Sequence, residues 1–117
     1  MPLVKKVLAR VFVDDLDAAL PAYRALAGPD VEPTRFDFRD VRLAWLGPFL
    51  LLQVPTDRRA AYERVATLLV DDLAPVADAV TAHGGEILEG PSPAPNGARM
   101  IARHGDGSVF EYIASAG

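Results

Sequence analysis

Glu111 and Arg10 each set a charge inside an apolar, alternating segment, Val109-Phe110-Glu111-Tyr112-Ile113 and Leu8-Ala9-Arg10-Val11-Phe12-Val13. A charge on an apolar face is costly unless it is paired. The two therefore either bridge one another or meet complementary groups on a ligand, with a structural salt bridge, or an Arg10 reaching solvent, as the plain alternative. Glu111 is also the one residue placed to act as a general base if the chain is an enzyme. The only histidines are His83 and His104. His83 falls at a helix C-terminus, where a cationic ring suits the helix dipole. His104 precedes the Asp106 turn and either pairs with Glu111 in metal or acid-base chemistry or faces solvent at a strand end. Nucleophilic catalysis has little support: there is no cysteine, no G-x-S-x-G elbow, and Ser92, Ser108 and Ser115 have no base beside them.

The elements that must position these residues come in two copies. Val13-Asp14-Asp15-Leu16 returns as Val70-Asp71-Asp72-Leu73 close to half of the 117 residues later. Both copies run from an alternating strand through the acidic pair into an amphipathic stretch that ends on glycine, at Gly28 and at Gly84-Gly85. In the first copy the pattern predicts a strand over Val4–Val13, then a helix carrying Leu16, Leu20, Tyr23 and Ala27. Pro21 is accommodated if the first regular turn begins after Asp17. Strands follow at 32–38, 41–46 and 49–54, and 55–62 is a polar linker. The second copy predicts a strand over 63–70, a helix near 73–82 with Pro75 in its first turn, and strands around 86–88, 98–104 and 109–114. The proline-rich run from Gly90 to Gly97 reads as an irregular connection that forms a flap over a site. The fold class is α+β, two tandem βαβββ modules in a single domain: module 1 over 1–56, a linker over 55–62 and module 2 over 63–117.

Composition narrows the function. A formal charge of −4 with two lysines, Lys5 and Lys6, and dispersed arginines gives no basic surface for nucleic acid. The longest apolar run, Leu43 to Leu52, is too short for a membrane span and is broken by Gly47-Pro48. The absence of cysteine fits a reducing compartment, and the N-terminus enters a strand without a signal-peptide pattern, so the expected location is the cytoplasm.

The paired modules, the acidic turn into each helix and the C-terminal Asp106-Gly107-Ser108-Val109-Phe110-Glu111-Tyr112 resemble the vicinal oxygen chelate superfamily, which includes glyoxalase I, extradiol dioxygenases and bleomycin-resistance proteins. The resemblance spans nearly the whole chain. It implies mixed sheets curled around a cleft for a small molecule, and a homodimer. Metalloenzymes of the superfamily draw four metal ligands from the first and last strands of the two modules. By register those positions are Leu8, Leu51, Val65 and Glu111, of which only Glu111 can bind a metal, so no metal and no cofactor are expected. Alternation from Leu8 and Glu111 then places Arg10, Phe12, Phe49, Gln53 and Thr67 on the inner face, with Leu69, Val109 and Ile113. Ala9, Val11, Val13, Leu50, Leu52, Ala66, Leu68 and Val70 are expected to face the helices. Trp45, with Phe36 and Phe38, offers flat walls for a planar ligand or fills the core. The expected ligand-binding set is Leu8, Arg10, Phe12, Trp45, Phe49, Leu51, Gln53, Val65, Thr67 and Glu111. The function that follows is metal-independent binding of a hydrophobic or aromatic molecule, as in antibiotic resistance. The alternatives are a divergent lyase, isomerase or dioxygenase using Glu111, and a domain closed by its own side chains that acts through dimerisation.

Overall fold

A computed structural model describes residues 2–95 and 97–115. Its strands and helices are β1 (Val4–Val13), α1 (Leu16–Ala27), β2 (Thr34–Phe38), β3 (Val41–Leu46), β4 (Phe49–Gln53), β5 (Thr67–Val70), α2 (Leu73–Ala82), β6 (Glu86–Ala94), β7 (Gly97–Arg103) and β8 (Val109–Ser115), with a short 3-10 helix over Thr56–Tyr62. This is the α+β, twice-repeated βαβββ order read from the sequence. The linker is thus helical, and β5 begins at Thr67, later than position 63. The chain packs as two units, Leu8–Glu63 and Arg64–Gly117 with Met1–Val7.

In the first unit the strands lie in the order β2-β3-β4-β1, with β1 parallel to β4 and the other pairs antiparallel. In the second they lie β6-β7-β8-β5, with β5 parallel to β8. The first and last strands of each module are therefore neighbours. A parallel neighbour needs a crossover, which the helix and two intervening strands provide.

The acidic pair works as a cap in both copies. Asp15 accepts from the Ala18 N–H at 3.3 Å and Asp72 from the Ala74 N–H at 3.1 Å, satisfying donors that the first turn leaves free. In α1 the Leu16 N–H also donates to Gln53 Oε1 at 2.8 Å. These two anchors start α1 at Leu16, so the helix does not wait until after Asp17, and Pro21 lies inside it. Pro21 has no N–H for the carbonyl of Asp17, a local loss that the packing of the helix offsets. The Gly28 N–H closes the helix on Arg24 O at 2.9 Å.

The run expected to be an irregular flap is mostly strand. β6 continues through Pro91 and Pro93 to Ala94, with register shifts between Ile87 and Glu89 and between Glu89 and Ser92. It is the outer strand of its sheet, the position where proline is tolerated because one edge forms no ladder. Asn96, part of that run, lies outside the described residues.

Each helix packs on one face of its sheet. Leu16, Ala19, Leu20, Tyr23 and Ala27 meet Val11, Val13, Ala44, Leu46, Phe49 and Leu51 in the first unit. Leu73, Val76, Ala77 and Val80 meet Ala66, Leu68, Val70, Met100, Ala102, Phe110 and Tyr112 in the second, with Val4 against them. Gly85 leads from α2 into β6 through a tight passage: a Cβ there would lie 2.4 Å from Arg103 O and 2.6 Å from Val80 Cγ1.

Among the described residues, a polar pair lies at the second core. Tyr112, 4% exposed, brings its hydroxyl 2.6 Å from His104 Nε2, and the imidazole stacks on Phe110 with centroids 4.4 Å apart and planes at 17°. Burial raises the Tyr112 pKa above the ordinary 10.0. The unfolded chain then loses this proton first as pH rises, so the stability linked to Tyr112 is complete below pH 10.0 and is lost as pH climbs through the folded value.

Three substitutions test this packing. In urea titrations Gly85→Ala should lower unfolding free energy by about 1–3 kcal/mol, since Arg103 or Val80 must shift. Gly84→Ala, at φ +87 with open space around it, should cost only about 1 kcal/mol of backbone strain. Tyr112→Phe should cost about 1 kcal/mol at neutral pH and remove the Tyr112-linked part of the fall in stability above about pH 10. An unchanged alkaline slope would mean that the phenol is not shielded in the folded state.

Candidate functional site

The four strands of the second sheet each contribute a polar residue to one cluster. Thr67 on β5 is the direct cross-strand partner of Glu111 on β8, and its hydroxyl donates to Glu111 Oε1 at 2.8 Å. Glu111 in turn pairs with Ile101 of β7, and Ile101 with Glu89 of β6. Two carboxylates thus flank Ile101 in register. Arg99, two residues from Ile101 and on the same face, lies between them: Nη1 donates to Glu89 Oε1 at 2.7 Å and Nε faces Glu111 Oε2 at 3.4 Å. The arginine side chain is 6% exposed, Glu111 is 13% and Glu89 is 35%. This face is opposite α2, because Phe110 and Tyr112 on either side of Glu111 point into the helix-side core. Thr67 is buried and Val65 is 63% exposed.

In the first sheet the face away from α1 is built by two rows. Arg10 is paired with Leu50, and Leu50 with Trp45; Phe12 is paired with Leu52, Leu52 with Leu43, and Leu43 with Phe36. Arg10, Phe12, Phe36 and Trp45 are partly exposed, whereas Leu8, Leu43, Leu50 and Leu52 are buried. The 3-10 helix touches this face: Arg10 Nη2 donates to Tyr62 O at 2.8 Å, and the Arg59 guanidinium lies 5.6 Å from the Phe12 ring centre. Arg59 is held there by Val54 O and Asp14. The Trp45 indole N–H donates to Gly47 O at 2.9 Å, which fixes the ring.

Arg10, Phe12 and Trp45 therefore share the expected face with Leu8, and Thr67 and Glu111 share theirs. Phe49, Leu51 and Gln53 do not face the way the sequence register implied. Phe49 and Leu51 pack against α1, Gln53 caps its first turn, and Leu50 and Leu52 take the opposite face. The cause is the unbroken apolar run Phe49-Leu50-Leu51-Leu52, which carries no alternation to choose a side, so pairing with β1 and β3 sets the register. His104 neither pairs with Glu111 nor simply faces solvent, the two alternatives read from the sequence. It bonds Tyr112, whose side chain lies on the opposite face of β8 from that of Glu111. With His83 it lines a cavity of about 240 Å³ beside α2, together with Ala79, Val80, Gly105 and Tyr112.

Arg99 and Glu89 are the functional candidates that sequence reading missed. Arg99 sits in Ala98-Arg99-Met100-Ile101-Ala102 as Arg10 sits in its strand, so the same rule about charges in apolar strands would have singled it out. Glu89 lay at the margin of the run taken for a loop.

The metal set implied by the superfamily does not fit these residues. The positions on β1 and β4 are Leu8 and Leu50 in the observed register, or Leu51 in the expected one, and Val65 precedes β5. None has a donor atom, and the remaining position, Glu111, is engaged by a hydroxyl and a guanidinium.

No family model matches the chain, and no curated protein matches it. Among solved structures, an uncharacterized protein from Methanosarcina mazei is 34% identical, with 99% of this chain and 95% of that one covered and a TM-score of 0.89. Methylmalonyl-CoA epimerase from Mycobacterium tuberculosis aligns over 100% of this chain and 92% of its own at 16% identity and a TM-score of 0.73. A mutant of 4-hydroxymandelate synthase from Streptomyces coelicolor aligns over 98% of this chain and 39% of its own, at 18% identity and a TM-score of 0.60. The epimerase and the synthase belong to the vicinal oxygen chelate fold family. The chain belongs to the family of the Methanosarcina mazei protein, and its fold is the one shared with these vicinal oxygen chelate enzymes.

Proposed function

We propose that this chain is a metal-independent small-molecule-binding protein of the glyoxalase and bleomycin-resistance type, taking a hydrophobic or aromatic ligand against the helix-free faces of its sheets. The observation that carries this reading is the use made of Glu111. The one residue of the superfamily's ligand pattern that could bind a metal is instead held by Thr67 and Arg99. The first sheet supports it with Phe12, Phe36 and Trp45, partly exposed on one face with Arg10 among them. Apolar walls with a few polar groups are the usual composition of a small-molecule site.

A second reading, an enzyme that uses Glu111 as proton acceptor, is favoured by the fold shared with an epimerase and a synthase. Fold alone does not fix chemistry. Here Glu111 would have to exchange Thr67 or Arg99 for the substrate's proton.

Trp45 is the only tryptophan, so its fluorescence reports on that face. In a screen of aromatic antibiotics and metabolites, the affinity of a ligand that quenches Trp45 should stay within about twofold after chelation with EDTA. Loss of binding with EDTA and recovery with nickel, zinc, iron or manganese would contradict the reading. The enzyme alternative predicts exchange of solvent deuterium into a ligand with an acidic C–H bond, abolished by Glu111→Gln. The binding reading predicts no exchange.

A further inference from the structure

Two carboxylates and a hydroxyl meet on the helix-free face of the second sheet: Glu89, Glu111 and Thr67. These are hard oxygen donors of the kind that hold divalent cations, and only Glu111 belongs to the pattern implied by the superfamily. Both carboxylates face one guanidinium, Glu89 at 2.7 Å from Nη1 and Glu111 at 3.4 Å from Nε, so a single ion in its place would be held by both once the two side chains close on it. Yet the place is filled. Arg99 is 5% exposed and arrives on the neighbouring strand. Its charge is permanent, because a guanidinium does not lose its proton in a protein. Its planar fork also satisfies two separate carboxylates at once, which the point charge of a lysine does less well.

We infer that Arg99 is the resident cation of this module and the residue that decides its metal specificity: it balances Glu89 and Glu111 as a divalent ion otherwise would, and so closes a latent oxygen-donor site to metals. The inference rests on the metal-free reading above and adds its cause. Exclusion of metal comes from an occupied cation position as well as from apolar residues at the superfamily's other ligand positions. A ligand that engages Glu111 must compete with Arg99.

The test uses the full chain and Mn²⁺ as probe. Wild-type protein and Arg99→Met, which keeps much of the aliphatic volume, are dialysed against Mn²⁺, then against metal-free buffer, and assayed for bound metal and thermal midpoint. The expected result is no retained ion in the wild type and about one per chain in Arg99→Met, with a midpoint that rises on adding Mn²⁺. Adding Glu111→Gln to Arg99→Met should weaken Mn²⁺ binding by at least about tenfold. Arg99→His, whose imidazole ligates a metal once Mn²⁺ displaces its proton, serves as the second variant and should bind Mn²⁺ as well. Folding of either variant only in the presence of Mn²⁺ would also support the inference. If the wild type itself retains Mn²⁺, the metal-free reading falls. If the wild type is metal-free and folded variants take up none, the inference alone falls. It falls too if neither variant folds with or without Mn²⁺, because Arg99 would then be a cross-link that no ion replaces.

Discussion

The contact between Arg99 and its two carboxylates is the constraint around which the second module is arranged. A guanidinium that is almost fully buried is tolerated only if its charge is met at close range, and here Glu89 and Glu111 meet it from the strands on either side. The pairing fixes more than charge. With Thr67 it ties β6, β7, β8 and β5 together across the face opposite α2, so the sheet's hydrogen-bond register and its polar contacts specify the same arrangement. A slip of one residue in β8 would carry Glu111 into the apolar core and Tyr112 out of it, which is why register and pairing are mutually enforcing.

The two modules solve the same folding problem with different side chains. Each begins with a strand, caps its helix with an aspartate and returns a last strand parallel to the first. The helix-side faces are alike in chemistry, small aliphatic residues with one or two tyrosines or phenylalanines. The opposite faces diverge: the first carries Phe12, Phe36 and Trp45 around Arg10, and the second carries the Glu89, Arg99, Glu111 and Thr67 cluster. The modules therefore differ on their helix-free faces, where the proposed ligand is taken, while the helix-side faces form the two cores.

Much of this was legible in the residues. The repeat of Val-Asp-Asp-Leu marked both helix starts because an aspartate cap has a local physical cause, and alternation placed Arg10, Phe12, Thr67 and Glu111 on their faces. Legibility stopped where local chemistry was ambiguous. Phe49 to Leu52 offer no polar residue until Gln53, and that glutamine serves the helix, not the open face. The prolines of β6 resemble a loop, yet a missing N–H is tolerated on an outer strand, which forms a ladder on one edge only. His104 was read either as a partner of Glu111 or as a solvent-facing strand end, and the turn before β8 instead sets it beside Tyr112 on the helix side.

Glu111 is held by the protein's own cation, Arg99, and on the proposed reading no metal takes that place. Anomalous diffraction from crystals of the wild-type protein grown in excess Mn²⁺ tests it most directly. The expected map shows no anomalous peak at the Glu111 carboxylate and an Arg99 guanidinium lying between Glu89 and Glu111. A Mn²⁺ peak bonded to Glu111, with Arg99 turned away, would contradict it.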